Sequence, residues 1–159
     1  MIWGILAGLI TGVASYEAVT YGEALRERRE VYAQAEAYAA QAGKPLLVVG
    51  APKFGFNHGC GDTTVDIDPT WLGWCPDGQI ADIRDLPFQD KEFGSSYSSH
   101  VLEHLDTIAD CRQAISELKR VADKAFIVVP KKTSLLAWLY PEHHLWVTPV
   151  PGGYIVEQR

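Results

Sequence analysis

Cysteine is scarce in this 159-residue chain: Cys60, Cys75 and Cys111 make an odd count at unrelated spacings. That usage argues against a disulfide scaffold and favours a reduced, cytosol-facing domain. Dense basic clusters are missing as well. The net charge is −6, and the one basic run, Arg26, Arg28 and Arg29, is interleaved with Glu23, Glu27 and Glu30. A nucleic-acid partner held through phosphate contacts is therefore not expected. The chain has no internal repeat and no low-complexity tract, which removes solenoids and disordered tails from consideration.

What is present fits one globular domain with an appendage, at 47% hydrophobic and 21% charged residues. Residues 2–16 carry no charge, and the run reaches Gly22 with Glu17 as its single ionised group. A spanning helix needs roughly 17–25 such residues, so 1–22 is expected to be a membrane anchor. Trp3, Tyr16 and Tyr21 stand near its ends, and the arginines behind it would keep the following domain cytoplasmic. Two rivals remain open. One is a helix buried in a core or an oligomer. The other is a signal peptide cleaved near Val13-Ala14-Ser15, against which stand the lack of a basic start and the downstream arginines. Residues 23–44 read as a helical arm. Ala, Glu, Arg and Gln dominate from Ser15 to Ala42, Gly22 is the one breaker, and Gly43 with Pro45 supplies the stop.

Residues 45–159 read as the domain proper, of α/β class. Leu46 to Gly50 is a continuous apolar run, typical of a parallel strand buried on both faces. A second strand is expected within Asp62–Asp68, a third over Phe93–Ser99 and another over Lys124–Pro130. Ile108, Cys111, Ile115, Leu118 and Val121 lie on one helical face, with Asp106 or Thr107 as its cap. Leu135–Tyr140 is a short apolar helix or loop, and residues 144–158 form a terminal hairpin around Pro-Gly-Gly. Ser98 to His104 then falls at the carboxyl edge of the sheet, where α/β folds bind ligands.

The pattern D-x-x-x-LPF-x-D-x-x-F from Asp82 to Phe93, followed by SSHVLEHL (98–105) and A-x-SEL-x-RV (114–121), resembles the class I S-adenosylmethionine-dependent methyltransferases, in particular the type 11 group. The resemblance spans roughly residues 45–130, about the size of a domain. It implies a minimal Rossmann-like sheet with flanking helices, and S-adenosylmethionine as cofactor. It also implies roles: Gly50, Gly59 and Gly61 in the glycine loop, Asp66 on the ribose hydroxyls, Asp82 on the adenine amino group, and Ile83 lining the base. His100 would lie near the transferred methyl, as a catalytic base. The chain departs from the family at the first strand. Val48 stands where an acid is usual, Ala51-Pro52-Lys53 follows Gly50, and the residues up to Gly61 are too few for a normal crossover helix.

HVLEH, His100 to His104, is also a zinc-peptidase signature. That motif belongs inside a long helix, whereas here it straddles a strand-to-helix junction, so no metal is expected and a zinc hydrolase is the remote alternative. The nearer alternative is a methyltransferase-like module that binds or assembles without turnover. The acceptor is expected to be a small or lipid-like molecule. Trp138, Tyr140, Trp146, His143 and His144 are candidates for its wall, and a second subunit or the membrane could close the site.

Overall fold

The computed structural model describes residues 2–52 and 59–159, with side chains from residue 11 onward. One helix, α1 (Ile2–Ala42), precedes strands β1 (Leu46–Val49), β2 (Thr63–Asp66), β3 (Gly78–Ile80) and β4 (Phe93–Ser99). Helix α2 (Ile108–Val121), strand β5 (Ala122–Val128), helix α3 (Leu135–Leu139) and a hairpin of β6 (Leu145–Val150) and β7 (Gly153–Gln158) complete the chain. The five strands β1–β5 form one parallel sheet in the order β3-β2-β1-β4-β5, and β6 pairs antiparallel with β7 alone. This is the Rossmann-like α/β arrangement expected, with β3 a strand too short and polar to be anticipated.

Strand β4 explains how helices close on both faces of the sheet. All seven residues are buried, yet four of them are serines. Small hydroxyl side chains let neighbouring backbones approach, and each needs a partner once buried. Ser95 Oγ donates to Ala35 O of α1 (2.7 Å), and Ser96 Oγ donates to Leu118 O of α2 (2.9 Å). Gly94 permits the same closeness, since a Cβ there would lie 2.9 Å from Ala39 Cα. On the α1 face, Ala35, Ala39, Val48, Tyr97 and Phe126 form one core. On the other, Leu47, Phe93, Leu118 and Val121 pack with Leu145 and Val147 of the hairpin. Thr107 caps α2 by accepting from Asp110 N–H, and its apolar stripe is buried as the spacing predicts.

Two expectations are corrected. Cys60 and Cys75 form a disulfide, leaving Cys111 as the free, buried thiol. Strand β2 and the 3-10 turn after it (Pro69–Trp74, capped by Asp68) carry two residues 15 apart in sequence to a Cα separation of 5.5 Å. Spacing alone does not reveal such a return. Closing a loop of that length stabilises by about 3 kcal/mol. The reduced reading drawn from an odd count therefore fails.

The spanning helix over 1–22 is not supported either. Among the described residues no helix is long and apolar enough to cross a membrane. Helix α1 runs unbroken through Gly22 and joins the domain early. Tyr16 Oη donates to Thr133 O (2.9 Å), and Glu17 accepts from Leu135 N–H (2.8 Å) and Leu136 N–H (3.2 Å) at the start of α3. Residues 2–15 by themselves make a helix of roughly 21 Å against a hydrocarbon core of about 30 Å. The single charge expected at a membrane interface thus caps α3.

Candidate functional site

The carboxyl ends of β1, β2 and β4 open on a cavity of about 810 Å³, bounded on one side by Thr20–Arg28 of α1 and on the other by the segment from Lys131 to His144. Gly50, Asp66, Asp82, Ile83 and His100 all line it. Gly59 and Gly61 do not. A Cβ on Gly59 would meet the Tyr32 ring of α1, and one on Gly61 would meet the backbone of Leu46 and Val48 in β1. They help seat β2 against α1 and β1, away from the cavity. Residues 53–58, between Gly50 and Gly59 of the expected glycine loop, lie outside the described residues.

Gly50 is where the two halves of the site meet. It ends β1 with φ +93°, and a Cβ would stand 2.5 Å from Val101 Cγ2. Its N–H donates to Val65 O (2.8 Å), which ties the turn to β2. Asp66, at the end of β2, holds the chain that leaves β1: Oδ2 accepts from Ala51 N–H (2.7 Å) and Oδ1 from Asp68 N–H (2.9 Å). Each oxygen keeps a second acceptor position, so two hydroxyl donors remain compatible with this arrangement. Asp82 is engaged more heavily. Arg84 donates to it through its backbone N–H (2.9 Å) and through Nε and Nη2. The same guanidinium reaches Asp110 at the start of α2 (3.2 Å). The hydrogen bond from Arg84 holds the Asp82 carboxyl below the usual range.

The β4 side differs in kind. His100 follows the strand with φ +55°, in the left-handed region that a β4-end residue rarely adopts, and its N–H donates to Val128 O (2.9 Å). The turn places its ring against Glu103, Nδ1 to Oε1 at 3.3 Å. Glu103 has no exposed surface, and neither carboxylate oxygen has a hydrogen-bond partner of good geometry. Burial pushes its pKa up to about 8. His143 Nε2 stands 3.9 Å from Oε1 on the opposite side. Burial, followed by the neighbouring His104, lowers the pKa of the His143 imidazole. The backbone of this corner is tied down, since His144 N–H donates to Glu103 O (2.8 Å). HVLEH does not put its two histidines on one helical face. Only Leu102–His104 is helical, as a 3-10 turn, and His100 precedes it in an extended-to-left-handed bend.

A profile described as "methyltransferase domain" matches residues 54–128. That match covers somewhat under half of the chain. Among solved structures, it resembles the PH0226 protein of Pyrococcus horikoshii OT3 at 17% identity and a TM-score of 0.47, covering 84% of this chain and 71% of that one. It also resembles a chain in the complex of the Haloferax volcanii Trm112 methyltransferase activator with its candidate methyltransferase. There the identity is 14% and the TM-score 0.42, covering 86% of this chain and 75% of that one. No curated protein matches it.

At the cavity, the part taken by Arg28 and that taken by His143 escaped the sequence reading. Arg28 of α1 lines it with Nε buried and without a hydrogen-bond partner, and burial lowers its pKa despite the charge of Glu103. Its place in an alternating Glu/Arg run looks like a solvated helix face, and nothing in that run marks which arginine turns inward. His143 was counted with the aromatic wall. Its second neighbour, Glu103, comes from 40 residues away, across a contact that only the hairpin and α3 create. Trp138 and Trp146, offered as pocket walls, pack on each other (4.7 Å between centroids) with the Arg159 guanidinium over both, outside the cavity.

Proposed function

We propose that the domain transfers a methyl group from S-adenosylmethionine to a small, largely apolar acceptor. The observation that carries this reading is convergence. Gly50, Asp66, Asp82, Ile83 and His100 are scattered over 50 residues of sequence, and all border one cavity at the carboxyl edge. The residues present fit the cofactor. Asp66 retains acceptor capacity for the ribose hydroxyls, and Ile83 offers an apolar surface to the base. Arg28, half-buried at the cavity with its Nε unpartnered, supplies a counter-charge for the amino-acid carboxylate where the usual glycine loop is altered. The donor, when bound, supplies a reactive sulfonium methyl. The protein's work is then to align an acceptor and exclude water. His100, braced by Glu103, is the group positioned to take a proton from the acceptor.

The acceptor's apolar character follows from the rim. Leu136 and Tyr140 are exposed at the cavity together with Tyr21 of α1, so a lipid-like molecule suits it better than a charged one. A second reading has its own support. The Asp82 carboxylate is already saturated by Arg84, as in a site that has lost its ligand and kept its shape. Calorimetric titration with S-adenosylmethionine and S-adenosylhomocysteine separates the two. Micromolar binding supports the enzyme, and its absence leaves a binding or assembly module.

A further inference from the structure

We infer that Glu103, His104 and His143 form a site for a divalent transition-metal cation beside the cavity. One ligand atom from each lies within 4.8 Å of the other two. Around an ion at about 2.0–2.2 Å from each donor, the donors stand roughly 3–4 Å apart, so side-chain adjustments of about an ångström close the site. Such an adjustment is open to His104, which is exposed.

Two further observations point to a cation. The first is the carboxylate. A fully buried glutamate whose oxygens lack hydrogen bonds needs a ligand, and neither the two imidazoles at 3.3 and 3.9 Å from Oε1 nor the Arg28 charge, which makes no hydrogen bond to it, supplies one. The second is the outer ring of contacts. His104 Nδ1 lies 2.9 Å from Glu142 O, and His143 Nδ1 lies 3.1 Å from Ala137 O. A carbonyl oxygen can only accept, so in each ring Nδ1 carries the hydrogen. The lone pair of the neutral ring is therefore on Nε2 for both. Metal-binding histidines are prepared in this way, with the second ring nitrogen donating to a carbonyl or carboxylate that sets tautomer and orientation. The three residues come from the turn after β4 and from the segment between α3 and β6, so the site also pins the hairpin to the sheet.

The donor set selects the ion. Two imidazoles and one carboxylate suit zinc, cobalt, iron or nickel better than magnesium or calcium, which prefer shells of oxygen. Three protein ligands leave positions for water or for an oxygen of a substrate. His104 and His143 border the same cavity as His100, so an ion held there would adjoin the space assigned to the acceptor. That last placement rests on the methyl-transfer reading; the cation site itself does not. It also differs from the peptidase arrangement, because His143 takes the part that HVLEH would give to His100.

The test uses the full chain, stripped with chelator and titrated with Zn²⁺ or Co²⁺ alone, followed by calorimetry and by the ligand-field absorption of bound Co²⁺. One ion per chain at micromolar affinity or tighter is expected. His104→Ala and His143→Ala should each weaken it at least about tenfold with far-UV circular dichroism unchanged. Glu103→Gln should do the same, and if that buried change unfolds the chain, the histidine variants still decide. Absence of stoichiometric binding to the folded protein overturns the site, as does binding that both histidine variants leave unaltered. S-adenosylmethionine is titrated separately into the stripped chain. If the cation binds and the cofactor does not, the metal site stands and the methyl-transfer reading falls.

Discussion

The two halves of the cavity treat their carboxylates in opposite ways. On the side of β2 and β3, Asp66 and Asp82 are part-exposed and well supplied with donors: two backbone amides for one, a chelating arginine for the other. On the side of β4, Glu103 is wholly buried, with two imidazoles near one oxygen, the Arg28 charge within electrostatic reach, and no hydrogen bond to either oxygen. A carboxylate satisfied by its own chain is cheap to keep and holds a loop in place. One left short of partners in a dry pocket costs free energy in the folded state, and folds retain such groups where they serve a ligand or a reaction. On the proposed reading the first half positions and the second carries the chemistry, with Gly50 and Val101 as the contact between them.

The sharpest way to break that division is His100→Ala. Removing the imidazole should lower methyl incorporation from labelled S-adenosylmethionine into a cell extract by about 10²-fold or more, the usual weight of a positioned acid or base. Cofactor affinity, read by calorimetry, should change less than about twofold, since the β2 side is untouched. Equal losses in both would merge the two halves into one. Next comes Gly50→Ala, aimed at the junction. A left-handed backbone angle costs an L-residue roughly 1–2 kcal/mol, and the clash with Val101 adds to it, so denaturant unfolding should register a loss of about 2–4 kcal/mol. An unchanged midpoint would mean that the two turns are not in register as described.

Asp66→Ala probes the positioning half by itself. It removes the acceptor for Ala51 and Asp68 and the group assigned to the ribose, and should weaken cofactor binding by roughly 1.5–3 kcal/mol. Wild-type affinity would show that β2 does not carry the nucleoside. The smallest effect is expected from Asp82→Asn. The folded-state pKa of Asp82 is depressed by Arg84, so its contribution to stability is present above the ordinary aspartate value of 3.8 and is lost as pH falls through the lower, folded value. The asparagine variant should be slightly less stable near neutrality and should show a flatter acid limb below about pH 4 in a pH series of thermal melts. An acid limb identical to that of the parent would remove Arg84 and Asp82 from the account of stability.

Periodicity and turn chemistry determined much of this protein by themselves. The LLVV run, the stripe from Ile108 to Val121, the Asp68-Pro69 cap and the Pro-Gly-Gly hairpin are local signals, legible because each element's burial repeats with its own period. The same holds for the motif from Asp82 to His104, whose spacing marks the carboxyl edge. What the tertiary structure decided depends on contacts between residues far apart in sequence. An uncharged run followed by arginines reads as a membrane anchor until Glu17 is found capping α3, 118 residues away. Cys60 and Cys75 look unrelated until β2 and its turn bring them together. Glu103 reads as one letter of HVLEH at a strand-to-helix junction until the folded chain buries it completely. Burial of a charge is a property of everything packed against it, and a linear pattern records only its neighbours along the chain.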